Sequence, residues 1–373
     1  MYSRNLSALA QKDSESTFKR KGRQREKETR FHLLFLLKKE DLRRRKMRKG
    51  KLQQSVLVRS VFKMLGQKRE DATGPAVGRG VSALAKEAET EVFSCAPVLV
   101  KDTEDAVLAV CRVCNSVAAA GATAKGVLVS LLLPETMEEK ALKELMREID
   151  QACARYGAAV IGGHTEVTDG VSHPVLTVTA AGTTSHAELF DPSCVTAELD
   201  LVVTKGIALG ASAYLARTKE KELLTRFSPG FIHGAADFSE EYSVFREAEI
   251  AMEHGAAAMQ DLSEGGIFGA LWEMADGAGV GLDVTLKKIP IRQETVEICE
   301  FFGVNPYQML STGALLIATA DGQGLVQALE IEGIPSAVIG RTTSERERIL
   351  RNGEEIRYLD KPQMDEMYRI DRT

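Results

Sequence analysis

Apolar residues recur at helical spacing from Met47 onward. Leu52, Val56, Leu57, Val61, Phe62 and Leu65 share one face and predict a helix over 47–66. Glu91 to Val100 reads as a strand. Thr103 to Ala120 reads as a helix, with Thr103 as N-cap and Glu104 and Asp105 in its first turn. Gly126 to Leu133 is an almost unbroken apolar run of strand length, stopped by Pro134. In the helix predicted over Thr136–Tyr156, Leu142, Leu145, Met146, Ile149 and Cys153 form the stripe. Thr136 and Glu139 have the spacing of a capping box, and Gly157 supplies the stop. Ala158 to Ile161 is a short buried strand, and Pro174 to Thr183 alternates as another.

The second half repeats this mixture. Strands are predicted at 199–204, 281–284, 314–320 and 337–340, and helices at 239–254, 264–275 and 323–331. A new element begins over 206–215. The Asp191-Pro192-Ser193 turn marks a boundary near 190–206, giving domains over 47–195 and 196–360 and a tail over 361–373. Helix and strand patterns interleave and two-residue hairpin signals are rare, so pattern alone leaves α+β and α/β about equally open.

Charge separates the first 46 residues from the rest. The formal net charge is −5, yet residues 1–50 hold 17 basic and 6 acidic side chains, a net of +11. The remainder therefore carries −16, which argues against a nucleic-acid face on the folded body. Aromatic content of 6% gives little material for base stacking. For Met1–Lys46, three readings stand: an extension ahead of a true start at Met47, a disordered basic tail, or a nucleic-acid arm. The longest early apolar run, Leu33 to Leu37, is far short of the roughly 20 residues a membrane helix needs. Six cysteines outside any small loop-rich framework suit a reducing, cytoplasmic setting. The lone Cys111-Arg-Val-Cys114 pair reads as two thiols on one helix.

Three glycine-rich segments carry the candidate chemistry. Gly162-Gly163-His164-Thr165-Glu166 follows the apolar strand at 158–161. Paired glycines at a strand end let backbone N–H groups approach an anion, and Glu166 is a candidate ligand for a divalent ion. Asp261-Leu-Ser-Glu-Gly-Gly266 precedes a helix. Asp261 is the second candidate metal ligand, Ser263 an N-cap, and Gly265 and Gly266 leave helix N–H groups open to phosphate. Gly74 to Gly80 contains Gly78 and Arg79 but lacks the Lys-Ser/Thr ending of a P-loop. Each segment alone is equally a tight turn or an ordinary capped helix.

Taken together and in this order, they give a chain that resembles the aminoimidazole-ribonucleotide synthase superfamily, from about Met47 to about Tyr358. The likeness is greatest to the branch of the hydrogenase-maturation carbamoyl dehydratase. It rests on Arg48-Lys-Gly-Lys-Leu52, the loop at 74–80, Asn115 to Gly121, the segments at 162–166 and 261–266, and Pro290 to Gly303. The resemblance implies a two-domain α+β architecture whose N-terminal sheets join in a homodimer. It also implies ATP held near that interface, with Mg2+ neutralising the phosphates during transfer to a small amide-like substrate. On that reading Gly74, Gly78, Arg79, Asn115, Gly162, Gly163, His164, Thr165, Ser263, Gly265 and Gly266 contact nucleotide or substrate.

The chain departs from the family where the acids should be. Arg79-Gly80 stands for an acidic pair, and Ala96 and Ser116 each replace an Asp. Asp261, Glu166 and Asn115 remain. Hard cations need oxygen ligands and charge, so these losses should remove most divalent affinity. Arg79 offers a cation that could pair with phosphate directly. The C-terminal cysteine of the carbamoyl dehydratase is missing, and so is the reactive cysteine context of the selenium enzyme. The expectations are thus a divergent nucleotide-binding member with weak or altered phosphoryl transfer, or a non-catalytic dimeric scaffold.

Overall fold

The computed structural model describes residues 54–370, apart from 66, 68, 74, 87 and 186–188. The basic extension, the Met47 start, Leu52 and Gly74 lie outside the described residues. The first half runs α1 (Gln54–Ser60), β1 (Ala72–Thr73), β2 (Ser82–Ala85), β3 (Thr90–Leu99), α2 (Thr103–Ala119), β4 (Thr123–Pro134), α3 (Glu139–Ala154), β5 (Ala159–Thr168) and β6 (Val175–Thr184). The second half opens with β7 (Asp200–Thr204), α4 (Leu209–Thr218), α5 (Glu220–Leu223), α6 (Pro229–Ala236), α7 (Phe245–Glu253), β8 (Ala256–Asp261) and α8 (Gly266–Ala278). It closes with β9 (Gly281–Thr285), α9 (Gln293–Phe302), β10 (Leu315–Thr319), α10 (Gly322–Ile331), β11 (Ser336–Thr343), β12 (Arg348–Asn352) and β13 (Glu355–Tyr358).

Each half builds its own sheet, so the α+β alternative holds, in two domains. The first sheet has the order β1-β2-β3-β6-β4-β5, antiparallel except for the β4–β5 pair. Its strands alternate. Val127, Val129, Leu131 and Leu133 of β4 are buried with Leu176, Val178 and Ala180 of β6 against α2 and α3. Each such Val or Leu side chain contributes about 1.5–3 kcal/mol. The intervening positions leave the other face open, so the apolar run at 126–133 is a half-buried strand, not a wholly buried one. Leu99, Leu128 and Leu132 are exposed there.

The second sheet has the order β13-β12-β9-β11-β7-β10-β8. Its central strands are apolar on both faces because both are covered. Leu201 and Val203 of β7 and Leu316 and Ala318 of β10 meet α8. Val202, Leu315 and Ile317 belong to the cluster that includes Ala248, Ile250 and Ala251 of α7 and Leu325 and Leu329 of α10. That cluster also takes in Ala118 and Ala119 of α2. Helix α2 is therefore buried almost all round, since it covers the first sheet and meets the second half as well.

Several boundaries differ from expectation. Asp102, not Thr103, caps α2, and its capping box closes with Asp105. The Thr136 box does not form, and α3 starts at Glu139. Among the described residues, helix α1 covers 54–60 and buries no residue. The strand expected over 158–161 continues to Thr168. The helix expected over 239–254 begins as a 3-10 turn and becomes α7 only at Phe245.

Candidate functional site

Asp261 is the last residue of β8, and Ser116 lies on the face of α2 turned towards it. Ser116 Oγ donates to Asp261 Oδ1 across 2.8 Å. Gly80 closes the glycine-rich loop beside them. A β-carbon placed on Gly80 would stand 3.3 Å from Ser116 Oγ and 4.0 Å from Asp261 Oδ1. Ser94 of β3 donates to the Gly80 carbonyl at 3.1 Å, and Ala96 is buried two residues along the same face of β3. One turn earlier on α2, Arg112 lies 3.7 Å from Glu264. Gly80 and Ser116, two of the positions where the resemblance implies an acid, thus meet Asp261 around one hydrogen bond between the two halves.

Arg79 points its charge elsewhere. Its Nε and Nη2 both lie 2.7 Å from Asp191 Oδ2, in a largely buried ion pair. Ser193 N donates to Asp191 Oδ1 at 2.7 Å, and the Ser193 hydroxyl does the same. Burial works against the Asp191 carboxylate, but the bonds from Arg79 and Ser193 outweigh it and hold its pKa below the ordinary carboxylate value. The pair fastens the loop to the 3-10 turn Pro192–Cys194, while Gly78 packs against the Glu273 carbonyl of α8. In this structure the Arg79 guanidinium is engaged by Asp191, in place of the phosphate pairing considered from sequence.

Asn115 is 1% exposed and its carboxamide is taken up internally. Nδ2 donates to the Tyr242 carbonyl at 2.7 Å, and Oδ1 accepts from Tyr156 Oη at 2.8 Å and Val244 N at 3.1 Å. Ser263 sits between Asp261 and Gly265, but it makes no side-chain cap on α8; Gly265 is the N-cap, in left-handed backbone. Gly266 also has positive φ, and a β-carbon there would lie 2.6 Å from the Met309 carbonyl oxygen.

The segment Gly162–Glu166 is not a turn at a strand end. It is the middle of β5, at the sheet edge. Gly163 is required by close approach to β4: at φ +148, a β-carbon would fall 1.8 Å from the Val129 carbonyl oxygen. Gly162, His164 and Glu166 pair with Leu128, Ser130 and Leu132, so all share the open face of the sheet. His164 Nε2 and Glu166 Oε2 are 3.3 Å apart and exposed. Thr165 takes the opposite face. Glu166 and Asp261, the two candidate metal ligands, are therefore not brought together within one protomer. Asp261 lies on the helix-covered side near β3, and Glu166 lies on the open side, three strands away.

The donor set does not fit a multi-ion centre. Among the described residues, no three His, Cys, Asp or Glu side chains group as a metal site. A divalent hard cation needs about six oxygens, and around Gly80 the protein offers the Asp261 carboxylate, already bonded to Ser116, and hydroxyls.

Comparison with known proteins agrees with the two-domain fold. The family description "AIR synthase related protein, N-terminal domain" matches residues 76–184, and "AIR synthase related protein, C-terminal domain" matches 197–351. A Methanocaldococcus jannaschii protein with a provisional hydrogenase expression/formation name is 26% identical over 65% of this chain and 71% of its own length. The carbamoyl dehydratase HypE of Rhodobacter capsulatus is 25% identical over 69% of this chain and 75% of its own. Among solved structures, hydrogenase maturation protein HypE in complex with ATP superposes with a TM-score of 0.63 at 15% identity, covering 86% of this chain and 97% of that one. At that identity the match shows the fold alone.

Proposed function

Since this chain belongs to the AIR synthase related family, we propose that it is a nucleotide-binding member with weak or altered phosphoryl transfer, acting on a small amide-like substrate. The observation that carries this is the Ser116–Asp261 hydrogen bond beside Gly80. Positions that hold metal-facing acids in the family hold here a glycine, an alanine and a serine, and the remaining carboxylate is bonded to the serine. Phosphoryl transfer depends on positioning and charge neutralisation, so weakening the metal site lowers rate before it abolishes nucleotide affinity. At the start of α8 the positive-φ glycines Gly265 and Gly266 make room for a phosphate once the bonds that hold their N–H groups, to Asp365 and to the Ser263 carbonyl, are released. Asp261, as the one carboxylate around Gly80, leaves a magnesium ion carried in with ATP only weak affinity.

The functional unit in this reading is a homodimer in the cytoplasm. The open face of the first sheet carries Leu99, Leu128 and Leu132 beside His164 and Glu166, which suits burial against a second copy. The six free thiols fit a reducing compartment.

A second reading is a non-catalytic dimeric scaffold. The Arg79–Asp191 pair favours it, because the glycine-rich loop is fastened by a side chain of the protein itself. Titration calorimetry with ATP, alone and with magnesium, together with phosphate-release assays, separates the two. Binding supports the nucleotide reading. Absence of heat in both conditions leaves the scaffold.

A further inference from the structure

Beyond β13 the chain folds back over the start of α8. Leu359 is buried against the second sheet, and Met367 and Ile370 are buried in the cluster that holds Met309 and Ile298. Between these anchors lies Asp365, 2% exposed. Its Oδ1 accepts from Met367 N at 2.8 Å and caps the 3-10 turn Glu366–Arg369. Its Oδ2 accepts from Gly265 N at 2.7 Å.

Gly265 is the N-cap of a thirteen-residue helix that receives no side-chain cap from its own segment. The free N–H groups at a helix start favour an anion. Here the anion is a carboxylate brought from 100 residues further along the chain. The same segment, four residues earlier, contains Asp261 with its bond to Ser116, and Glu264 lies beside Arg112. The Asp365 contact therefore sits at the edge of the candidate site.

We propose that Pro362–Ile370 is an autoinhibitory strap, with Asp365 holding in cis the anion position that a nucleotide phosphate takes at Gly265. This rests on the nucleotide-binding reading. One backbone N–H cannot serve a carboxylate and a phosphate at once, and the two anions repel. Nucleotide binding then requires the strap to lift. Its apolar anchorage, Met367 and Ile370, is small enough to make lifting reversible.

The test uses full-length chain and ATP with magnesium as probe. Met367→Asp removes an anchor and keeps the carboxylate, whereas Asp365→Ala removes the carboxylate and keeps the anchors. Both variants should bind ATP more tightly, on the order of tenfold. ATP should also speed tryptic cleavage of the wild-type chain after Arg369, in the 3-10 turn that lifts with the strap. Wild-type ATP affinity matched by both variants, with cleavage unchanged by ATP, overturns the strap and leaves nucleotide binding intact. No ATP binding by wild type or either variant overturns both. Circular dichroism and thermal melting of each variant exclude unfolding as the source of a change.

Discussion

The Ser116 hydroxyl donates to the Asp261 carboxylate across 2.8 Å, joining the helix that covers the first sheet to the end of a strand in the second. Where the family resemblance leads one to expect an acid facing an acid around a metal, a neutral donor faces an acid directly. A hydrogen bond from a hydroxyl stabilises a carboxylate without neutralising it.

Ser116→Ala should lower stability by about 1–2 kcal/mol, because Asp261 loses a partner at a partly buried position. Thermal denaturation reads this directly. A change below a few tenths of a kcal/mol would mean that the bond contributes nothing to holding the halves together.

Arg79→Met should cost about 1–3 kcal/mol, since Asp191 is left largely buried without its cation. A double-mutant cycle with Asp191→Asn isolates the coupling. The pH dependence follows from the lowered pKa of Asp191. Its contribution is present above the unfolded carboxylate pKa and is lost as pH falls through the lower, folded value. Asp191→Asn should therefore flatten the acid limb of a stability–pH curve. An unchanged limb would assign acid sensitivity to other carboxylates.

Asp365 gives the opposite sign. Burial raises its pKa from 3.8 to about 6, against the bonds from Gly265 and Met367, and Glu264 adds to the rise. A raised acid favours the folded form most fully below its unfolded pKa, and that advantage fades as pH rises through about 6. The difference is on the order of 3 kcal/mol at most. Denaturation between pH 4 and 7 should show wild type gaining stability on acidification relative to Asp365→Asn. Parallel curves for the two proteins would contradict the assignment. Acidification also holds the strap more firmly.

Leu128→Asp and Leu132→Lys should leave the protomer folded, because both side chains are exposed on the open sheet face. Sedimentation should then show at least a hundredfold weaker self-association than wild type if this face is the dimer surface. A wild-type monomer, or variants that still dimerise, would remove the homodimer reading.

The sequence made the long, periodic elements legible. The stripe of α3 and the alternation of β6 announced themselves, and the 126–133 run gave β4 its place though not its open face. Two-residue β1 and the exposed hairpin β12–β13 left no periodic signal. Helices α4 and α6 were hidden because small residues and glycines fill their cores. At the site, Gly80 and Ser116 were legible as departures, and Asp261 as a retained acid, in an otherwise familiar order. The Arg79–Asp191 pair and the Asp365 cap were not, since their partners stand 112 and 100 residues apart and no local pattern links them. Gly162–Glu166 misled because two glycines resemble a turn, whereas Gly163 answers the closeness of a neighbouring strand.

The central claim is that the site has lost its metal while keeping the means to hold phosphate. The most direct measurement is calorimetric ATP affinity with and without magnesium, for wild type and for the triple variant Gly80→Asp, Ala96→Asp, Ser116→Asp. Carboxylates at 80 and 116 would crowd Asp261, and only a cation would relieve them. Wild type should bind ATP with an affinity that magnesium changes by less than about threefold, and the triple variant should gain at least about tenfold from magnesium. Wild-type binding that appears only with magnesium and is accompanied by rapid turnover would contradict the account.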